Sequence, residues 1–568
     1  MSPLALRQQR IQVAGQRQLA LGRSRQRLMI GVLLFVALAA ILTLRLLDLA
    51  LLHDGKRGGE RDLFAALVPP RADIVDRNGA ELARTFDAYS IAVRPQDVVG
   101  DKRDLARRLA DALPGMTYER AYAQLTHAGK YRFVQRRVLP TDAKRVNAIG
   151  EPGIVIEREP ERLYPNLGLG AHVIGYTDID GKGAAGIERA FDERLSRSDM
   201  RGKPLVLSID SRIQQAMEHE LAVAMKKFSA IGAAGVVLDV HTSEVLAMTS
   251  LPELNPNAAG KGSDDERFNR ATLGVYELGS TFKPFTVAMG MDAGVVRSMG
   301  QMYDCPKGLK VGRFTIRDTH PFGRACSVAE IMQESSNIGT AQIARDLGAT
   351  RQREFLQKMG FLEPVSIELK ERGRTLSPGA NWGEIATMTV GYGHGIAVTP
   401  LHLASGYAAL FNGGIWRPAT LLKVDKSHPL VPGRRVFTED TSHKMRSLLR
   451  VVVTEGTGRK ADAPGYRVGG KTGTAEKAMG GRYNRTAVVT TFAGVFPMDD
   501  PRYVVVAMLD EPKPTKETYG FRTAGWNVAP VVSKVVGRIG PVLGVVPDEN
   551  REPNMAEVLP YIKPKSKP

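Results

Sequence analysis

The sequence predicts an α+β protein: a single N-terminal transmembrane helix, an extended α+β pedestal module, and one large domain of helices packed on an antiparallel sheet. Three observations carry this expectation. A charge-free apolar run follows a basic leader, a turn-rich and charge-rich stretch follows the run, and from about residue 203 capped helices alternate with apolar strands. At 568 residues the chain exceeds a single core, so two or three folded units are expected.

Residues 1–27 hold six arginines and no acidic residue, and so supply +6 of the formal charge of +18. The run "LMIGVLLFVALAAILTL" (28–44) has no charge, and its 17 residues would span roughly 25 Å as a helix, with "LLDLALL" extending the apolar face. The small-residue box "ALA" (37–39), which could be taken for a cleavage site, lies inside the run, so 28–52 reads as an uncleaved anchor. Arginines flanking such a helix stay in the cytoplasm, which places everything after it outside, in a bacterium-like periplasm. A basic balance also invites a nucleic-acid reading, but aromatics are only 6% and no zinc-finger, RNP or helix-turn-helix spacing is present, so nucleic acid is excluded as a partner.

Residues 53–202 are punctuated by "DRNG", "LYPNLGLG" and "DGKGAAG", turn sequences joining brief strands, as expected of the pedestal. From 203 to 545, Asp210 is placed to cap a helix with Ile213, Met217, Leu221 and Met225 on one face, and "AAGVVLDV" and "EVLAMTS" form a hairpin through "HTS". Residues 546–568 read as a C-terminal tail ending in the biased "KPKSKP". Cys305 and Cys326 are the only cysteines; an oxidising compartment allows either a disulfide or two separate thiols.

Three short motifs bear on chemistry. In "YELGSTFKPFT", Gly279 breaks the chain before a helix, and Ser280 and Lys283 lie three apart on one face, so the lysine amine is within reach of the serine hydroxyl. Serine attacks only if a base takes its proton, and lysine is a base only if burial and a second cation depress its pKa. The triplet "SSN" (335–337) falls between "SVAEIMQE", whose Ser327 and Glu330 form a capping box, and another helix. In "GGKTGTA", Thr472 and Thr474 share one face of a strand, Gly473 opens room for a ligand backbone, and Lys471 offers a cation to a carboxylate. Each motif alone is also met as an ordinary cap or strand end. Their order, S-x-x-K, S-x-N, K-T-G, with separations of about 55 and 135 residues, marks an acylating serine enzyme.

With these motifs in this order, the chain resembles the class B penicillin-binding proteins, membrane-anchored peptidoglycan D,D-transpeptidases. "RADIVDRNGAELA" (71–83), "RLYPNLGLGAHVIGYTD" (162–178), "GIERAFDERL" (186–195), "LNPN" (254–257), "GYGHGIAVTPLHLA" (391–404) and "NGG" (412–414) extend the likeness over nearly the whole length. The short interval between "GYTD" and "GIE" is similar to the division-specific (FtsI-type) branch rather than the elongation branch. Ala72, Ser243 and Leu278 depart from the family's usual glycine, glycine and proline, and none is a catalytic position.

The resemblance implies a penicillin-binding transpeptidase domain with catalytic Ser280, Lys283 and Ser335. Ser280 would attack the carbonyl between two terminal D-alanines, Lys283 would be its base under the field of Lys471, and Ser335 would shuttle the proton to the leaving D-alanine. Asn337 would bind the peptide amide and hold Lys283, while Lys471, Thr472 and Thr474 bind the terminal carboxylate and Gly473 completes the substrate-binding set. The backbone N–H groups of Ser280 and Thr474 would form an oxyanion hole. The implied partners are peptidoglycan stem pentapeptides, on lipid-linked precursor or nascent glycan, β-lactam antibiotics, the membrane, and an FtsW-type glycosyltransferase with other division proteins. The ten histidines have no H-E-x-x-H or C-x-x-C companion and no phosphate loop occurs, so no metal or cofactor is expected. Rival readings are an elongation-type transpeptidase, a β-lactamase or D,D-carboxypeptidase, and a non-catalytic division scaffold or β-lactam sensor. The anchor and long pedestal argue against the hydrolases, and a 27-residue leader is short for a sensor's effector.

Overall fold

The computed structural model describes residues 28–44, 71–479 and 482–563. Residues 28–44 form a helix with exposed apolar side chains. Among the described residues no helix is long and apolar enough to cross a membrane, and the expected anchor continues to residue 52, outside them.

From residue 71 onward, the first layer is the pedestal. Its head is a three-stranded antiparallel sheet in the order Arg132–Val138, Tyr89–Val93, Ile154–Arg158. Helices Lys102–Ala112, Tyr118–Leu125 and Pro140–Asn147 close it over Ile91, Val93, Leu105, Leu109 and Val134. Asp101 and Thr117 accept backbone N–H groups at the starts of the first two helices. A second sheet, in the order Glu161–Leu163, Glu81–Phe86, Ile74–Val75, Leu205–Val206, ends in a parallel pair that hands the chain to the large domain.

That hand-over is pinned by a buried ion cluster. Glu188, with no exposed surface, accepts from Arg71 Nε at 2.7 Å, Arg162 Nε at 2.7 Å and the Tyr164 hydroxyl at 3.3 Å. It therefore joins three chain segments, from "RADIVDRNG", "RLYPN" and "GIERA". Removing one partner of such a cluster strands charge where water cannot reach it.

The large domain is built on a five-stranded antiparallel sheet in the order Gly469–Met479, Arg482–Phe496, Tyr503–Asp510, Gly232–Asp239, Val245–Leu251. The central strand "YVVVAMLD" is buried throughout because both faces are covered. Tyr503, Val505, Ala507 and Leu509 pack with helices Ser211–Lys227 and Ala529–Val542, whereas Val504, Val506 and Met508 face the core that encloses helices Lys283–Asp292 and Pro400–Phe411. The expected hairpin is present, with Ser243 at φ +59° in the turn where glycine is usual. Asp210 caps Ser211–Lys227 through Arg212 N, and Ile213, Met217 and Leu221 are buried in it as the periodicity predicts.

The structure settles the cysteine state, which the sequence leaves open, and corrects the reading of the C-terminal tail. Cys305 and Cys326 are disulfide-bonded and fully buried, joining the paired strands Met302–Cys305 and Arg324–Ser327. The C-terminal stretch through residue 563 is packed on the domain rather than trailing from it: Val558 is fully buried and Glu552 pairs with buried Arg450. Residues 564–568 of "KPKSKP" lie outside the described residues.

Replacing Glu188 by Gln removes the one fully buried carboxylate that two guanidinium groups share, leaving Arg71 with Asp192 at 2.7 Å and Arg162 with Asp73 at 3.9 Å, and should cost up to roughly 3–5 kcal/mol. A clear fall in the thermal unfolding midpoint, with an exposed-pair control such as Asp199→Asn unchanged, is the expected measurement; an unchanged midpoint would contradict a stabilising role.

Candidate active site

Ser280 occupies a short 3-10 turn, Gly279–Phe282, that runs directly into helix Lys283–Asp292. The turn is held by close backbone packing. A Cβ on Gly473 would lie 2.3 Å from Leu278 O, and one on Gly393 would lie 2.1 Å from Gly279 O. Gly279 itself sits at φ +54°, in the region where glycine is favoured. Here the structure corrects the expectation for Gly473: the room left by its missing side chain is taken by the serine turn itself, not kept for a ligand backbone.

Ser335 follows helix Val328–Gln333, whose predicted Ser327–Glu330 capping box is formed. Its backbone adopts φ +63°, a strained conformation for serine that surrounding contacts must maintain. Ser336 then caps helix Asn337–Leu347 through Gly339 N, so Ser335 and Ser336 sit between two helices as predicted and Asn337 opens the second.

The two motif lysines meet at Ser335. Lys283 Nζ donates to Ser335 Oγ at 3.1 Å and also to Ser335 O, and Lys471 Nζ donates to the same Oγ at 2.9 Å and to Thr472 O at 3.3 Å. Both side chains are fully buried. Burial, and then the charge of Lys471, hold the Lys283 amine well below the ordinary lysine range, with Asp318 opposing. Burial brings Lys471 down to about 7, with Glu334 opposing. The structure thus gives Lys283 the two conditions that a lysine base needs, while its amine is bonded to Ser335 and not to Ser280.

Thr472 and Thr474 line the same open cleft as Ser280, Ser335 and Asn337, a cavity of about 480 Å³. Thr472 Oγ1 pairs with Thr457 Oγ1 at 2.9 Å, and Thr474 Oγ1 accepts from Ala524 N at 3.1 Å. All eight predicted residues are therefore brought to one region, but Asn337 differs in detail. Its Nδ2 donates to Arg317 O at 2.9 Å, and no hydrogen bond joins it to Lys283.

Sequence reasoning missed Asp318. Its carboxylate accepts from Ser336 Oγ at 2.7 Å and from the N–H groups of Asn337 and Ile338 at 2.5 and 3.1 Å, so it caps the motif helix from the loop closed by the disulfide. No local spacing signals this, because the contact spans 18 to 20 residues; an acidic residue between two paired cysteines is the one hint.

The family model for the penicillin-binding protein transpeptidase domain matches residues 233–533. This chain is a penicillin-binding protein. The model for the penicillin-binding protein dimerisation domain matches residues 66–206, before it. Among similar proteins, this penicillin-binding protein is 41% identical to a probable peptidoglycan D,D-transpeptidase FtsI of Caulobacter vibrioides, over 84% of this chain and 82% of the relative. It is 32% identical to the peptidoglycan D,D-transpeptidase FtsI of Escherichia coli, over 87% of each. The crystal structure of penicillin-binding protein 3 of Mycobacterium tuberculosis complexed with aztreonam superposes with a TM-score of 0.67 at 25% identity, covering 85% of this chain and 98% of that one. The recognition of a class B, FtsI-type penicillin-binding protein, from the ordered motifs, the stretches shared along the chain and the short interval between "GYTD" and "GIE", is borne out.

The depressed Lys471 predicts a pH signature in stability. Below about pH 7 the amine is protonated folded and unfolded, and the burial cost is present in full. Between about 7 and the ordinary value of 10.5 only the unfolded chain binds the proton, so that cost is relieved as pH rises. Thermal unfolding of the wild type and Lys471→Met should show the variant relatively more stable at low pH, the gap closing by roughly 1.4 kcal/mol per unit at most across this window. A gap independent of pH would contradict the shift.

Proposed function

We propose that this penicillin-binding protein is a peptidoglycan D,D-transpeptidase that cross-links stem peptides through an acyl-enzyme on Ser280 during septal wall synthesis, and that β-lactams acylate the same serine. The observation that carries the reading is the convergence of two buried lysine amines on Ser335 Oγ beside Ser280 in one cleft. The FtsI relatives and the transpeptidase family match supply the reaction class.

Neutral Lys283 takes the proton of Ser280 Oγ as that oxygen attacks the carbonyl between the terminal D-alanines. The oxyanion is received by the backbone N–H groups of Ser280 and Thr474. Collapse expels D-alanine, whose amine takes a proton relayed from Lys283 through Ser335 Oγ. An acceptor stem's amino group then attacks the ester, loses its proton back along this route, and Ser280 Oγ leaves protonated. Lys471, Thr472 and Thr474 hold the donor's carboxylate, and Gly473 lets the serine turn approach the strand. The strand Gly469–Met479 is a sheet edge, so the peptide can add to it by backbone hydrogen bonds. Asn337 contacts the peptide amide; its bond to Arg317 O would have to yield for it also to hold Lys283.

In this reading residues 1–27 are cytoplasmic, 28–52 anchor the chain in the inner membrane, 53–202 form the pedestal, 203–545 the periplasmic transpeptidase domain and 546–568 its C-terminal segment. The pedestal and anchor meet an FtsW-type glycosyltransferase and other division proteins at the septum. The apolar run behind six arginines supports the anchor.

Intact-mass analysis after benzylpenicillin should give one stable adduct that maps to Ser280 and is absent in Ser280→Ala. Ser335→Ala should slow acylation by roughly 10²–10⁴-fold, the range for a lost proton relay. Rapid loss of the adduct with hydrolysed drug would instead identify a β-lactamase, and no adduct on folded protein a scaffold.

A further inference from the structure

Ser335 is strained, and something outside its own motif must hold it. The short helix before it, Val328–Gln333, is tied to the C-terminal segment at both ends. At its start, Ser327 Oγ donates to Tyr561 O at 2.8 Å. At its end, Gln333 Nε2 donates to Lys563 O at 2.8 Å and to Glu455 O at 3.2 Å. Gln333 is fully buried, and two backbone carbonyls facing one end of its side chain fix that end as the amide NH₂.

The segment that supplies these carbonyls is itself anchored. Asp548 N donates to Gly465 O at 2.8 Å, buried Arg450 grips Glu552 at 2.7 and 2.6 Å, and Val558 is buried in the main core. The Tyr561 ring fills the space over Gly300, where a Cβ would lie 2.4 Å from it. Glu455, the other acceptor, opens the loop that carries Thr457, the partner of Thr472. One amide thus connects the Ser335 loop, the Thr457 loop and the C-terminal segment.

We infer that the C-terminal segment 546–563 acts through Gln333 as a positioning device for Ser335, setting the hydroxyl between Lys283 and Lys471. Gln333 is a positioning residue, two positions from the hydroxyl it serves and in the wall behind the cleft. The inference rests on the acyl-enzyme reading of Ser280. Loss of the clasp lets Ser335 relax from φ +63°, which moves its Oγ away from the two amines, while Thr472 and Thr474, which receive the ligand, stay fixed in the strand ladder.

The test is stopped-flow acylation of the detergent-solubilised full chain by benzylpenicillin, for wild type, Gln333→Met and a chain ending at Asn554, which keeps the Arg450–Glu552 pair. Both variants should lose roughly tenfold or more in the acylation rate constant at saturating drug, within the range for sub-ångström to ångström misplacement. The dissociation constant of the initial complex should change little. A purely structural role predicts a lower thermal midpoint with the rate constant of the folded fraction unchanged, and that result overturns the inference. Should Gln333→Met not fold, Gln333→Glu, which keeps the shape and replaces the donor by an acceptor, is read in the same way. Failure of the wild type to label at Ser280 would overturn the acyl-enzyme reading and this inference with it; labelling of wild type and variants at equal rates overturns this inference alone.

Discussion

The structure of the site depends on one shared acceptor. Two lysine amines donate to Ser335 Oγ from 3.1 and 2.9 Å, so they lie at most about 6 Å apart in an interior that water does not reach. Two full charges at that distance would repel by roughly 3 kcal/mol even at an effective dielectric constant of 20, beyond the cost of desolvating each. The favourable state carries one charge, and because burial and the charge of Lys471 both depress Lys283 whereas burial alone depresses Lys471, the neutral amine falls to Lys283. A hydroxyl between a free amine and an ammonium can accept from one and donate to the other, which is what a proton relay requires.

Everything around this point serves to bring three distant segments into contact without side chains in the way. The Leu278–Gly279 backbone is pressed between Gly473 of the edge strand and Gly393 of the loop before Thr399, with approaches that a Cβ at either position would block. The five-stranded sheet supplies the rigid edge, and the buried layer on one of its faces fixes the helices that begin at Lys283 and Asn337. Asp318 and Gln333 then act on the Ser335 loop from opposite sides, one at the start of the following helix and one at the end of the preceding helix. Glycine is thus used for close approach, and buried polar side chains for aim.

What the sequence made legible was local or ordered along the chain. Asp210 before an amphipathic run, Ser327 three residues from Glu330, and the hairpin through Ser243 are each decided within a few residues, and each forms as expected. The three motifs were legible because their order is a joint signal that no single one carries. What was not legible depends on contacts across long separations: the packing of Gly473 against the serine turn, the Asn337 bond to Arg317, the Asp318 cap, and the burial of Val558 in a stretch that reads as a tail. No periodicity or spacing encodes which distant backbone a missing side chain admits. The cysteine pairing was left open for the same reason, since spacing allows a disulfide but only the facing strands bring the two sulfurs together.

The proton distribution has a consequence for the substrate on the proposed chemistry. With its value near 7, Lys471 is only partly charged in the empty site at neutral pH. An anion entering beside Thr472 and Thr474 favours the ammonium form and draws a proton onto Lys471. That added charge acts on Lys283 in the same direction as its burial, and so strengthens the condition that makes Lys283 a base. Binding of a terminal carboxylate and activation of the serine are then coupled through one lysine, and the coupling is reciprocal. A peptide lacking the carboxylate forfeits both effects, so selection for a chain terminus follows from the electrostatics of the relay as well as from the shape of the cleft.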